Sequence, residues 1–259
     1  MTFDLPSVGL GTMGLDGDDG AAAVATALDV GYRHLDTAQV YGNEATVGAG
    51  IARAGVARDD LLVATKTWVD RLAPDDVRPS TEASLDALGL DAVDLLYVHR
   101  PRGGYDPAGT LAAYDALVDD GLVDHVGVSN FAVEQLEEAL DLLEAPLSAH
   151  QTEFHPLFRR PDLREHAVDN GYTLVAYSPL AGGRVRDLEP VRAVAEKHDT
   201  TPEAVSIAWV TGKKGVVAIP KASSETHLRA NLAAADLDLD PADVARIDAI
   251  EREEELFPE

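Results

Sequence analysis

Residues 61–99, LLVATKTWVDRLAPDDVRPSTEASLDALGLDAVDLLYVH, decide how the whole chain is read. An apolar run (61–66) is followed by a stretch with apolar residues three and four apart (74–88), then by a second apolar run (94–99). Pro74 with Asp75 and Asp76 supplies the proline and the acids of a helix start, and Gly89 falls where that helix should stop. Both runs are almost continuously apolar, as strands are when both faces are covered. The unit reads strand, helix, strand, and its two strands close on polar residues, Lys66 and His99.

Outward from this unit the pattern repeats. Strand-like runs lie at 7–12 (SVGLGT), 33–37 (RHLDT), 125–130 (HVGVSN), 147–154 (LSAHQTEF), 173–178 (TLVAYS) and 215–221 (GVVAIPK), which with the first two makes eight. Helical spacing fills 21–30, 44–54, 109–120, 133–143 and 161–170, with Asn43 as a cap before Glu44 and Gly31, Gly121 and Gly171 as stops. Eight strand–helix units predict a closed (β/α)8 TIM barrel, in the α/β class. Two helical patterns after the seventh strand (189–198, 202–211) and one at 241–252 are extra helices on that barrel. Without a linker or repeat, residues 1–259 read as a single domain. An open doubly wound sheet is the alternative, but GLGTMG near the N-terminus is not a GxGxxG that opens a helix.

Composition narrows the function classes. The chain has 259 residues, 46% hydrophobic, and no cysteine, so neither a disulfide framework nor a thiolate nucleophile or metal ligand is available. The start lacks the basic and apolar regions of a signal peptide and no run is long enough to span a membrane, so a soluble cytoplasmic protein is expected. A net charge of −25, spread along the chain, would repel a phosphate backbone, which excludes nucleic acid as a partner. Such a surface resembles proteins of salt-loving organisms, where salt screens self-repulsion; an ordinary acidic cytosolic protein is the rival reading.

In a barrel of this kind the C-terminal ends of the strands face the site. The polar residues closing the runs are Asp36, Lys66, His99, Ser129 with Asn130, Gln151 with Glu153, Tyr177 with Ser178, and Lys221. Each alone has a structural explanation, as a cap, a surface ion pair or a half-buried histidine. Asp, Lys and His on three successive strands point instead to chemistry. Tyr41 follows Asp36 by five residues on a polar loop. A phenol, with an ordinary pKa of about 10, needs a cation beside it to donate a proton near neutrality. Lys66 supplies that cation and Asp36 keeps it charged, while His99 polarises an oxygen beside the phenol. The set suits proton transfer to a carbonyl oxygen.

The ordered motifs GYRHLDTAQVYGNE, LLVATKTW, DLLYVHRP, VGVSNF, HQTEFHP, AYSPL and VVAIPKAS resemble those of the aldo-keto reductase superfamily across almost the whole chain. The nearest likeness is to its short prokaryotic branch of diketogluconate and methylglyoxal reductases. The resemblance implies a catalytic tetrad of Asp36, Tyr41, Lys66 and His99, with Tyr41 as general acid in the reduction of an aldehyde or ketone. It also implies NADPH and/or NADH bound across the barrel mouth without a Rossmann domain. The matching cofactor positions are Thr12, Ser129, Asn130, Gln151, Tyr177, Ser178, Leu180, Lys221, Ser223, His227 and Asn231, with Met13, Trp68 and Arg100 around the substrate pocket. No metal is implied, and the assembly is expected to be a monomer or weak dimer.

Three departures from the family pattern matter. After IPK, this chain has Ala222, His227 and Ala230 where Ser, Arg and Glu are usual. A neutral imidazole cannot imitate the bidentate guanidinium that holds a 2′-phosphate, which predicts weakened NADPH preference. Met13 and Arg100 stand where Trp is usual; Arg100 either recruits a carboxylate or phosphate on the substrate or turns outward to a surface acid. The N-terminal segment looks too short for a full floor hairpin and the C-terminal one too short for a pocket-shaping loop, so an open site is expected. Two other readings stay on the table: a catalytically weak nicotinamide-sensing barrel subunit, and a metal-dependent barrel hydrolase using His34, His99, His150 and His155, which form no tight motif such as HExxH.

Overall fold

A computed structural model describes residues 4–258. The opening unit folds as read: β3 (Leu62–Thr67), α3 (Pro74–Leu88) and β4 (Val93–Val98), with Ala64 beside Leu95 and Lys66 beside Tyr97 in parallel register. The other strands are β1 (Leu10–Gly11), β2 (His34–Asp36), β5 (Val123–Ser129), β6 (Leu147–Glu153), β7 (Thr173–Tyr177) and β8 (Val216–Ala218), all parallel and in sequence order around one sheet. The ring closes through Gly9 N to Ala218 O (2.8 Å) and Ala218 N to Ser7 O (2.9 Å). That seam explains glycine at position 11, where an added Cβ would lie 2.7 Å from the Ile219 carbonyl oxygen.

Helices α1 (Gly17–Val30), α2 (Glu44–Arg53), α4 (Pro107–Asp119), α5 (Val133–Leu142), α6 (Pro161–Asn170), α7 (Glu189–Lys197), α8 (Pro202–Thr211), α9 (Glu225–Ala233) and α10 (Pro241–Asp248) complete the chain. As expected, two of them follow β7 and one follows α9. Gly31, Gly89 and Gly171 end their helices in the left-handed conformation. The last helix is shorter than its spacing suggested: Ile250 is buried in the core, and Glu254 N reaches Leu157 O at 2.7 Å outside any helix, so 249–257 folds back over the barrel. Asn43 is not a side-chain cap either; its amide braces Thr12 O (2.7 Å) and Leu15 O (3.0 Å).

Alternation along the strands divides the apolar residues between two cores. Leu35, Val63, Leu96, Val126 and Leu174 face the helices, whereas Ala64, Leu95, Tyr97, Ala149, Val175 and Val217 fill the barrel interior, with Leu5 joining them. Each fully buried Leu or Val contributes roughly 1.5–3 kcal/mol. Above this apolar interior the inward positions become polar, at Asp36, Lys66 and Gln151, and there the mouth begins.

Candidate active site

β2 and β3 present Asp36 and Lys66, His99 follows directly on the end of β4, and the turn at Gln39–Tyr41 returns Tyr41 over them. Lys66 is fully buried. Its ammonium donates to Asp36 Oδ1 and to the Thr37 carbonyl (2.7 Å), and it lies 5.2 Å from the centre of the Tyr41 ring. Burial alone would strip a lysine of its proton, but Asp36 and Tyr41 outweigh it and the Lys66 pKa is raised. Burial raises the Tyr41 pKa, opposed by the Lys66 charge and, more weakly, by Arg100. The His99 ring stands edge-on to Trp68 (4.8 Å between centres) and to Tyr41 (6.0 Å). Burial and the charges of Lys66, Arg100 and Arg102 push its pKa down to about 2, so it is neutral in the working range.

Asp36, Tyr41, Trp68 and His99, with Lys66 buried behind them, form one wall of a cavity of about 440 Å³ whose lining also includes Thr12, Met13, Arg100, Ser129, Asn130 and Gln151. Tyr177, Ser178, Leu180 and Lys221 line it as well. Ser223, His227 and Asn231 lie outside it, the first two exposed on the approach to and first turn of α9 and Asn231 buried in that helix. The Arg229 guanidinium is held by Glu225 at 2.8 Å. The His34 ring lies lower, wholly buried inside the barrel, and no three His, Cys, Asp or Glu side chains group to hold a metal among the described residues.

The donors fit a nicotinamide. Ser129, Asn130 and Gln151 offer the hydroxyl and amides that a carboxamide pairs with, and Tyr177 offers an aromatic face whose hydroxyl donates to Asn130 Oδ1 (2.9 Å). The backbone there is unusual: Asn130, Ser178 and Ala181 have φ of 61°, 51° and 49°. Left-handed Ser and Ala carry strain of order 1–2 kcal/mol, which clusters where a ligand is clamped. Farther along, Lys221 brings a cation suited to phosphate.

Sequence reasoning missed four contributors. Thr37 acts through its carbonyl, which no side-chain pattern reveals. Gly182 and Gly183, both at positive φ, line the groove. Phe257 also lines it, edge-on to Tyr177 at 5.8 Å, because the buried Glu153 carboxylate accepts from Leu256 N (2.7 Å) and Phe257 N (3.0 Å). The C-terminal segment therefore does shape the site, contrary to the expectation from its length; the signal available was a lone aromatic in an acidic tail.

The chain matches the aldo/keto reductase family over residues 7–252. It is 37% identical to methylglyoxal reductase DkgB of Salmonella typhi, covering 97% of this chain and 95% of that protein. It is 36% identical to a glyoxal reductase of Bacillus subtilis, over 98% and 92%. Among solved structures it superposes on MGS-M4, an aldo-keto reductase from a Medee basin deep-sea metagenome, with a TM-score of 0.94 and 31% identity over 99% and 95% of the two chains. It also superposes on the aldose reductase of Schistosoma japonicum, with a TM-score of 0.92 and 30% identity over 98% and 91%. Fold, cavity and kinship agree: the chain belongs to the aldo/keto reductase family and is an NAD(P)H-dependent oxidoreductase of carbonyl groups.

Proposed function

We propose that this chain reduces small aldehydes and ketones, among them keto-aldehydes of the glyoxal type, with Tyr41 as the proton donor. The observation that carries this is the buried Lys66 ammonium, paired with Asp36 and 5.2 Å from the centre of the Tyr41 ring, behind a cavity wall that Asp36 and Tyr41 both line. The reduced nicotinamide, when bound, supplies the hydride. Ser129, Asn130, Gln151 and Tyr177 hold and orient the ring, with Thr12, Ser178, Leu180 and Lys221 along the groove and Ser223, His227 and Asn231 toward the adenosine end. Neutral His99 hydrogen-bonds the carbonyl oxygen, and Tyr41 Oη gives that oxygen its proton. Lys66 stabilises the phenolate left behind until solvent reprotonates it. A positioned general acid of this kind contributes roughly 10²–10⁴-fold in rate.

Met13, Trp68 and Arg100 form the substrate pocket. The charge of Arg100 reaches both Tyr41 and His99, which supports a guanidinium near the reacting oxygen and a preference for substrates carrying a carboxylate. At the adenosine end, an imidazole at His227 in place of a guanidinium, and the Glu225-paired Arg229, support real use of NADH beside NADPH. The 46 acidic against 21 basic residues support a soluble, cytoplasmic, salt-adapted protein working as monomer or weak dimer, and the one eight-stranded sheet supports a single barrel domain.

The test is an NADH and NADPH oxidation screen at high salt over aldehydes, ketones, keto acids and diketo sugars, with Tyr41→Phe as control. Loss of turnover in Tyr41→Phe is expected; equal turnover in the variant would overturn the assignment. Arg100→Trp should erase any preference for a keto acid over a neutral aldehyde. Salt adaptation should show as a melting temperature that rises from low to multimolar KCl.

A further inference from the structure

Gln151 sits on the boundary between two parts of the site. Its Nε2 donates to Asp36 Oδ2 at 2.7 Å, while Asp36 Oδ1 accepts from Lys66. A carboxylate only accepts, so the orientation of the Gln151 amide is fixed by this contact. Both residues are almost wholly buried, Gln151 at 2% and Asp36 at 1% exposure, so water does not compete for the bond. The same side chain lines the cavity beside Ser129 and Tyr177.

Beneath Gln151 lies Tyr97, fully buried in the barrel interior. Its hydroxyl sits by the Gln151 amide without a well-formed hydrogen bond to any group. Tyr97 fits there only because position 127 is glycine: a Cβ would lie 2.6 Å from the Tyr97 ring. Buried polar atoms normally find partners. The unpaired hydroxyl leaves Asp36 as the partner that holds the Gln151 amide. Gln151 thus has Asp36 on one side, Tyr97 below and the open groove on the other side.

Resting on the reading of Tyr41 as acid, we propose that Gln151 is a positioning residue of the acid–base unit: it fixes the Asp36 carboxylate on Lys66 and so links occupancy of the nicotinamide groove to the Tyr41 proton. Asp36 Oδ1 stays on Lys66 because Oδ2 is tied to Gln151, and Lys66 stays in place to lower the cost of the Tyr41 phenolate. A ligand amide that draws on Gln151 changes the hold on Asp36 and, through Lys66, the acidity of Tyr41. Linkage makes this reciprocal: protonation of Tyr41 alters affinity for the cofactor. The other charged and titratable groups facing Tyr41 are His99 and Arg100 after β4 and Tyr177 at the end of β7.

The test uses the full chain with Gln151→Met, nearly isosteric but without N–H, and Gln151→Asn, an amide too short for the 2.7 Å bond. Circular dichroism checks folding. Two quantities are read: kcat against pH at saturating NADH and carbonyl substrate, and NADH affinity against pH by tryptophan fluorescence quenching without substrate. Gln151→Met should lower kcat about tenfold and move the alkaline limb to higher pH, because Tyr41 loses part of the Lys66 effect. Its NADH affinity should no longer vary with pH across that limb, whereas wild-type affinity does. Gln151→Asn should fall between the two and decides the matter if the Met variant does not fold. A weaker NADH affinity with unchanged kcat and unchanged limb would leave Gln151 a binding residue only and sink the proposal. Full turnover in Tyr41→Phe would instead remove the reading beneath it, so the two failures are distinguishable.

Discussion

The two sides of the barrel mouth are built differently. On the β2–β4 side, Asp36, Lys66 and His99 are 1%, 0% and 8% exposed, and the first two are tied into protein hydrogen bonds before any ligand arrives. On the β8–α9 side, Lys221, Ser223 and His227 are exposed, Ser224 caps α9, and Arg229 pairs with Glu225 of its own helix. One side is a prebuilt acid–base device whose residues also hold the barrel together. The other is a solvated surface on which a ligand must supply its own order. Changes on the first side should move chemistry and stability together; changes on the second should move affinity alone.

The largest effect should come from Lys66→Met. Removing the cation takes from Tyr41 its electrostatic partner, and kcat should fall roughly a thousandfold, within the range a positioned acid contributes. It also strands the buried Asp36 carboxylate, at a stability cost of about 3–5 kcal/mol by denaturant titration. A variant that lost turnover without losing stability would separate what the prebuilt side joins.

Acid should attack the same side next. His34, fully buried two residues before Asp36 with neither ring nitrogen hydrogen-bonded, has its pKa pushed down to about 4 by burial. The unfolded chain binds a proton near pH 6.5 that the folded chain refuses until about pH 4. Stability is therefore full above pH 6.5 and falls as pH drops through this window, by about 3 kcal/mol for this residue. Urea midpoints between pH 7 and pH 4 in wild type and His34→Gln test the sign: the variant should lose less. A smaller effect follows from Gly127→Ala, whose methyl meets the Tyr97 ring under Gln151; about 1–3 kcal/mol of overpacking is expected, measured as a lowered melting temperature.

The same asymmetry explains what could be read in advance. The strand–helix alternation fixes the barrel, and the rule that strand ends face the mouth finds Asp36, Lys66 and His99 without any knowledge of contacts. Periodicity reports which face a residue occupies, not its partner. Closing the ring turns the inward-facing side chains of β2 and β6 toward each other across the mouth, and only then does Gln151, 115 residues from Asp36, become its hydrogen-bond donor. Asn43 looked like a cap because Asn before Glu is a capping pattern, yet its Oδ1, the atom a cap would use, accepts from the Thr37 hydroxyl (3.2 Å) while its NH2 group is held by two carbonyls of the loop after β1. Phe257 escaped notice because its place is set by main-chain bonds to Glu153, and main-chain donors carry no sequence signature.

The exposed side gives the smallest and most selective effect. His227→Arg places a guanidinium on the first turn of α9, where the imidazole now stands in solvent. A guanidinium grips phosphate by two parallel hydrogen bonds, but here it acts in water, on a protein of net charge −25 and in screening salt. A gain of about 1.4 kcal/mol, or tenfold, in the NADPH over NADH ratio of kcat/KM is therefore expected. The value of kcat with saturating NADH should not move, nor should the urea midpoint, because no buried partner is disturbed. If the ratio stays fixed while Glu225→Gln raises it, then Arg229, released from its helix partner, is the residue that meets the 2′-phosphate, and the exposed side is organised by competition for a guanidinium rather than by the lack of one.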